Sequence, residues 1–184
     1  SQALDLAGDH MSLYQLTIEN GTAFGDRYKA GRLRGLPPDD LAADMYDATQ
    51  EMCEAAGLAA YEVSNHARPG AESRHNMIYW RYGDYVGIGP GAHGRITVDG
   101  QRYATETWLQ PDRWLHEAET GHTESLRTPL SGPEQAGEYL LMGLRVADGI
   151  DMTRFADLAG APLDMATVQH LSDIGMVEQH GQRL

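Results

Sequence analysis

Two apolar runs with strand periodicity flank one long amphipathic run, and that order constrains the fold more than anything else in the 184 residues. Residues 12–18 alternate, with Leu13, Gln15 and Thr17 on one face and Tyr14, Leu16 and Ile18 on the other. A period of two predicts a strand buried on at least one side. Glu19-Asn20-Gly21-Thr22 ends it with turn chemistry, and residues 23–37, with three glycines and several cations, read as a loop. Pro37-Pro38-Asp39-Asp40 then opens a helix by placing proline and acids in a first turn that accepts them. Leu41, Met45, Ala48, Met52 and Ala56 recur at helical spacing before Gly57 stops the run. Residues 60–64 form a second strand pattern. Strand, helix, strand is the βαβ unit of a parallel sheet, whose ligands gather where the strands end, here beside Glu19 and Asn65.

The second strand therefore runs straight into the densest chemistry of the chain. Residues 64–93 hold His66, Arg68, Arg74, His75, Asn76, Tyr79, Trp80 and Arg81, then the glycine cluster Gly87-Ile88-Gly89-Pro90-Gly91 and His93. Residues 61–95 carry a net charge of +1 within a chain of −13, a setting that suits a ligand with carboxylates or phosphates. His75 is able to ligate iron, Asn76 to orient it, and Tyr79 and Trp80 to offer flat faces to a macrocycle, with Arg68, Arg74 and Arg81 placed for its propionates. A histidine beside aromatics is also a common structural arrangement, and the residues alone leave both open. The glycine cluster is an incomplete phosphate loop, because Pro90 removes one amide; a plain turn after a short strand at 84–88 fits it as well. His66 and Glu62 lie four apart on an extended segment and so do not share a face, which excludes a zinc-protease pair.

Downstream, residues 95–105 with Asp99-Gly100 at their centre predict a hairpin. Residues 111–119 predict a short helix burying Trp114, Leu115 and Ala118. Residues 122–130 lack any period and read as a linker between a first domain, 1–121, and a second, 131–184. Ser131-Gly132-Pro133-Glu134 is a capping box, followed by Ala136, Leu140, Gly143, Leu144 and Ala147 on one helical face. Asp151 caps a shorter helix, Pro162 opens a third, and residues 176–184 begin a hairpin. Three helices and a wing form a winged-helix-like pattern.

Composition narrows the partners. Fourteen Lys and Arg against 27 Asp and Glu argue against nucleic acid and against anionic membrane surfaces. The single cysteine, Cys53, allows neither an internal disulfide nor a cysteine-only iron–sulfur site, and it reads as a buried small hydrophobe. No apolar run approaches bilayer length and no signal-peptide pattern is present, so the cytoplasm is the expected compartment.

The quoted stretches, together with residues 12–19, 61–67 and Tyr139 to Arg145, resemble HemW-type members of the oxygen-independent coproporphyrinogen III oxidase family, which are radical S-adenosylmethionine (SAM) proteins. The resemblance runs over nearly the whole chain. It implies an α/β fold: the C-terminal part of a partial TIM-like barrel followed by a small winged-helix-like domain. It implies a 4Fe-4S cluster and SAM in the full-length protein, but the family's Cys-x-x-x-Cys-x-x-Cys motif is absent from this sequence, so this chain alone is expected to be inactive as a radical enzyme. It also implies haem binding at His75, Asn76, Tyr79 and Trp80, with His75 on the iron. Thr17, Gly89, Gly91, Ala92 and His93 match stretches near the SAM pocket. His66 stands where an aromatic such as Phe is expected, and reads as a flat replacement rather than a second ligand. The expected function is that of a haem chaperone delivering haem to an apoprotein. The alternatives are oxidative decarboxylation of coproporphyrinogen III and a non-catalytic interaction module. Barrel surface left open in such a piece predicts self-association.

Overall fold

The computed structural model describes residues 2–184 and divides into two compact units, Ser1–Glu72 and Ser73–Leu184.

In the first unit, α1 (Gln2–Leu6) precedes β1 (His10–Ser12). The strand expected over 12–18 is thus confined to its first residue. Leu13 donates one last ladder bond to the Ser64 carbonyl at 2.8 Å; beyond it Tyr14 and Leu16 are exposed, and among the described residues no strand pairs with residues 14–18. The expected loop contains a helix, α2 (Ala23–Lys29), which Thr22 caps by accepting from the Gly25 amide. The long helix, α3 (Asp39–Ala55), stands where the acids and Gly57 place it, with Gly57 at φ +75. Its inward face is not the expected one. Leu41, Met45 and Met52 are exposed, whereas Cys53 is buried and Ala42, Thr49, Gln50 and Ala56 are half-buried. Cys53 is the buried small hydrophobe the sequence suggests, and burial raises its thiol pKa.

β2 (Ala59–Glu62) follows, but β3 (Asn65–Ala67) lies between it and β1 and runs antiparallel to both. The expected βαβ unit is corrected accordingly: β1 and β2 share a direction but never touch. A two-residue turn at Val63-Ser64 lets the chain fold straight back onto β2, which a period-two pattern cannot foresee. Under this sheet lies a polar core. Glu62 accepts from the Asn65 side chain at 2.6 Å and from the Ser64 amide at 3.0 Å, and Asn65 accepts from the Ser12 hydroxyl at 2.7 Å.

The second unit opens with α4 (Arg74–Trp80) and a loop in which the expected strand at 84–88 shrinks to one bridge, Tyr85 with Arg95. β4 (His93–Val98) and β5 (Gln101–Thr107) form the expected hairpin, with Asp99 and Gly100 both at positive φ as a type I′ turn requires. α5 (Pro111–Glu119) forms as expected, although Leu115 is exposed. The stretch 122–130 contains β6 (Glu124–Pro129), hydrogen-bonded along β5 as the third strand of the sheet.

α6 (Gly132–Gly143) carries the full capping box and buries Ala136, Tyr139 and Gly143; Leu144 is exposed. α7 (Met152–Ala159) is capped by Asp151 and ends at Gly160, and α8 (Met165–Asp173) starts at the Asp164 cap rather than at Pro162. The expected hairpin over 176–184 is reduced to single bridges of Arg183 with His180 and with Asp151. The core of this unit is Tyr82, Tyr139 and Ile150, packed against Phe155, Leu158 and Leu184.

Candidate functional site

α4 gathers the four residues expected to hold haem, His75, Asn76, Tyr79 and Trp80, together with Arg74. Ser73 caps it, accepting from the Asn76 amide at 3.3 Å, and Met77 is buried on its inner face. That orientation leaves Arg74 and His75 exposed at the first turn, one turn before Tyr79. His75 Nε2 lies 2.9 Å from the Tyr79 hydroxyl, with the two rings edge-on at 4.9 Å and 85°. Tyr79 is in turn held edge-on by Tyr85, ring centroids 4.5 Å apart. The imidazole is thus accessible and oriented, with an aromatic wall behind it.

Trp80 closes the helix. The Arg145 guanidinium lies 4.8 Å from its ring centroid, and its buried indole N–H has no hydrogen-bond partner. Tyr79, Trp80, Tyr82, Tyr85, Arg95 and Glu138 line a cavity of about 230 Å³ behind the helix. That volume admits a substituent of a large planar ligand, not the ligand itself.

Below the cavity is an ionic knot. Glu138 of α6 accepts from the Tyr82 hydroxyl at 2.9 Å and from Arg95 through Nε and Nη2. Arg102 pairs with Asp84, donates to the Gly83 carbonyl at 2.8 Å, and lies 4.0 Å from the Tyr82 ring centroid. Burial, and then the bond to Glu138, raises the Tyr82 pKa. Burial pushes the Glu138 carboxyl up, but the bonds from Arg95 and Tyr82 outweigh it and the net shift is downward.

The three expected carboxylate partners differ in what they have left to offer. Arg74 is exposed and makes no ion pair among the described residues. Arg81 is committed to Asp148 at 2.7 Å, and Arg68 belongs to the first unit, where it pairs with Asp9 at 3.3 Å. Thr17 is likewise in the first unit, exposed on the irregular run after β1.

The glycine cluster is shaped by packing. A Cβ on Gly87 would sit 2.6 Å from the His93 carbonyl, and one on Gly94 2.5 Å from the Thr105 hydroxyl. The Gly91 amide donates to the Trp108 carbonyl at 2.9 Å and the Ala92 amide to the Thr107 hydroxyl at 2.8 Å. Pro90 lacks an N–H and the Gly91 and Ala92 amides are bonded to residues 107 and 108, so none of these three positions offers an amide to a phosphate. His93 is exposed, 4.0 Å from Glu106.

His66 is 1% exposed, with Nε2 2.9 Å from the Gln50 amide oxygen and Nδ1 unpartnered. Burial lowers its pKa, only partly countered by Glu62. A neutral imidazole buried in this way packs as a flat core residue, at the edge of a cavity it shares with Leu13, Tyr46 and Gln50. Tyr85, Glu138, Arg145 and Asp148 support the α4 site, yet no sequence pattern singles them out, because their contacts span 6 to 67 residues.

Comparison with known proteins shows what the chain resembles. Residues 130–184 match the family profile of the HemN C-terminal domain. The chain is 46% identical over 147 residues to the bovine radical S-adenosyl methionine domain-containing protein 1, mitochondrial, covering 77% of this chain and 33% of that protein. It is 38% identical over 189 residues to the heme chaperone HemW of Mycobacterium tuberculosis, covering 99% of this chain and 44% of that one. To the heme chaperone HemW of Escherichia coli it is 32% identical over 192 residues, covering 98% and 49%. The structure of HemN, the coproporphyrinogen III oxidase of E. coli and a radical SAM enzyme, aligns with a TM-score of 0.70 at 14% identity over 98% of this chain and 45% of its own. At that identity the likeness is one of fold, and it bears out the mixed α/β expectation. The chain spans between a third and a half of the length of these relatives.

Proposed function

We propose, from the premise that the chain is the C-terminal region of a HemW/HemN-like radical SAM protein, that it carries the haem-binding element of a haem chaperone. The observation that carries this reading is His75: exposed, oriented by Tyr79, and backed by an aromatic wall rather than closed into the core. Nε2 lies farthest from the backbone, and in the neutral tautomer with the proton on Nδ1 its lone pair, now facing the Tyr79 hydroxyl, would serve iron. Iron bound at Nε2 would compete with the Tyr79 hydroxyl for the same lone pair, so the Tyr79 side chain would have to shift for haem to bind. Arg74, one residue away and free of an ion pair among the described residues, is suited to a propionate. Arg81 keeps the end of the helix in place instead.

The residues present do not suit an iron–sulfur cluster. Cys53 is the only cysteine and is buried in α3, and no group of three potential metal ligands exists among the described residues. The radical chemistry implied by the family therefore rests outside this chain, whose own residues bind and orient rather than react. Coproporphyrinogen also presents propionates, more of them than haem, and has no iron for His75 to meet. No helix among the described residues is long and apolar enough to cross a membrane. A compartment with free haem traffic, the cytoplasm in a bacterial host, suits the proposal, and a haem-accepting apoprotein is the implied partner.

The test is titration of the full-length protein with haem and, separately, with coproporphyrinogen III under turnover conditions. Haem binding that His75→Ala abolishes supports the chaperone reading. Turnover of coproporphyrinogen replaces it with the oxidase reading.

A further inference from the structure

The end of α4 is held from one direction. Arg154, on α7, donates from Nη1 to the Arg81 carbonyl at 3.0 Å and from Nη2 to the Tyr82 carbonyl at 3.2 Å. These are carbonyls beyond the last helical turn, where the backbone of α4 has no partners of its own and the helix dipole favours a cation. Tyr82 is also one of two non-glycine residues at positive φ among the described residues, +56, a left-handed conformation that persists only where its surroundings enforce it. Its surroundings are the C-terminal helices and the hairpin. Its hydroxyl is bound by Glu138, its ring is covered by Arg102, and its carbonyl is bound by Arg154. Arg154 is exposed, and its guanidinium is backed by the buried Tyr139 ring, 4.5 Å from the centroid. Asp148 and Arg145 add two more contacts from the same side, to Arg81 and to Trp80.

We propose that Arg154 is a positioning residue for the His75 site, and that the C-terminal domain acts as a clamp setting the orientation of α4. The proposal rests on the reading of His75 as the haem ligand. The helix is seven residues long, too short to hold its shape without outside contacts. His75 is oriented through Tyr79, which lies only two and three residues from the two clamped carbonyls. Releasing them lets the last turn fray and takes Tyr79 out of its contact with Tyr85. Arg154 touches no ligand; it acts through the backbone.

The experiment compares the full-length protein with its Arg154→Met, Arg154→Lys and His75→Ala variants by amide hydrogen exchange without haem and by haemin titration followed in the Soret band. Arg154→Met is expected to speed exchange at residues 77–83 and raise the haem dissociation constant about tenfold, as loss of an outer supporting contact does. The Soret position at saturation should be unchanged, since the ligand is unchanged. Arg154→Lys, which restores the charge and one donor, should recover part of both effects. Unchanged exchange at 77–83 in Arg154→Met overturns the clamp, and faster exchange with unchanged haem affinity overturns the positioning role. If His75→Ala binds haem with the same midpoint and spectrum as the unaltered protein, the reading of the site itself fails. That outcome is distinct from either result on Arg154, and it removes the positioning role as well.

Discussion

The Tyr79 hydroxyl occupies His75 Nε2 at 2.9 Å, across one turn of a seven-residue helix. On the proposed reading of His75 as the haem ligand, the nitrogen that would meet iron is latched by a neighbour that has to release it. Tyr79→Phe keeps the ring against Tyr85 and removes only the latch. A single exposed hydrogen bond is worth about 1 kcal/mol, so haem binding should tighten about fivefold. Tyr79→Ala, which also removes the ring, should weaken it. Weaker binding by Tyr79→Phe in a Soret titration would show that the hydroxyl supports the ligand rather than competing with it.

Glu138 joins three parts of the second unit: α6, the β4–β5 hairpin through Arg95, and the turn after α4 through Tyr82. Glu138→Gln cannot satisfy both Arg95 donors and leaves that guanidinium poorly paired in a half-buried site. Unfolding in urea should show a loss of about 2 kcal/mol, discounted from the cost of breaking a fully buried pair because solvent reaches both partners. The pH dependence has a definite sign. The folded-state pKa of Glu138 lies below its ordinary value, so its contribution is present above pH 4.5 and disappears as pH falls through the folded value. Glu138→Gln should flatten that part of the stability curve; equal acid sensitivity in both proteins would contradict the assignment.

His66 makes the opposite test in the first unit. Its folded-state pKa lies below the ordinary 6.5, so the unfolded chain binds the proton more readily. Stability from the neutral ring is complete above that pH and is lost as pH falls from about 6.5 towards the folded value. His66→Phe, a flat apolar replacement, should be more stable than the unaltered protein at pH 5 and differ less at pH 8. Equal differences at the two pH values in thermal unfolding would exclude a buried neutral imidazole.

The apolar stripe that helical spacing predicts on α3 is exposed, and it carries a prediction. Leu41, Met45 and Met52 lie on one stripe and face outward. The 184-residue chain by itself should self-associate, and Met45→Lys with Met52→Lys should reduce its mass in light scattering. A monodisperse monomer before any substitution would contradict this.

The parts of the fold legible in the sequence are those whose cause is local. The capping box at Ser131 and Glu134, the Asp151 cap and the Asp99-Gly100 turn each name their own hydrogen bonds or dihedral angles within four residues. The true extent of the strand at 12–18 and the order of the first sheet are not legible, because a strand exists only with a neighbour, and β3 intervenes after a turn of two residues. The α3 stripe misleads for a related reason: helical spacing shows that a face is apolar, not which face is covered in this structure. At the site, His75, Tyr79 and Trp80 are local to one helix and so are readable as a set. Arg81 reads as a carboxylate partner, yet it meets Asp148, 67 residues away, which no spacing argument reaches. Arg154, Arg145 and Glu138 are invisible in the sequence for the same reason.

Haem titration of the full-length protein and of its His75→Ala variant, followed in the Soret band, bears most directly on the account. A saturable band with one haem per chain that is lost or displaced in His75→Ala is the predicted result. The same band with the same midpoint in both proteins would contradict it.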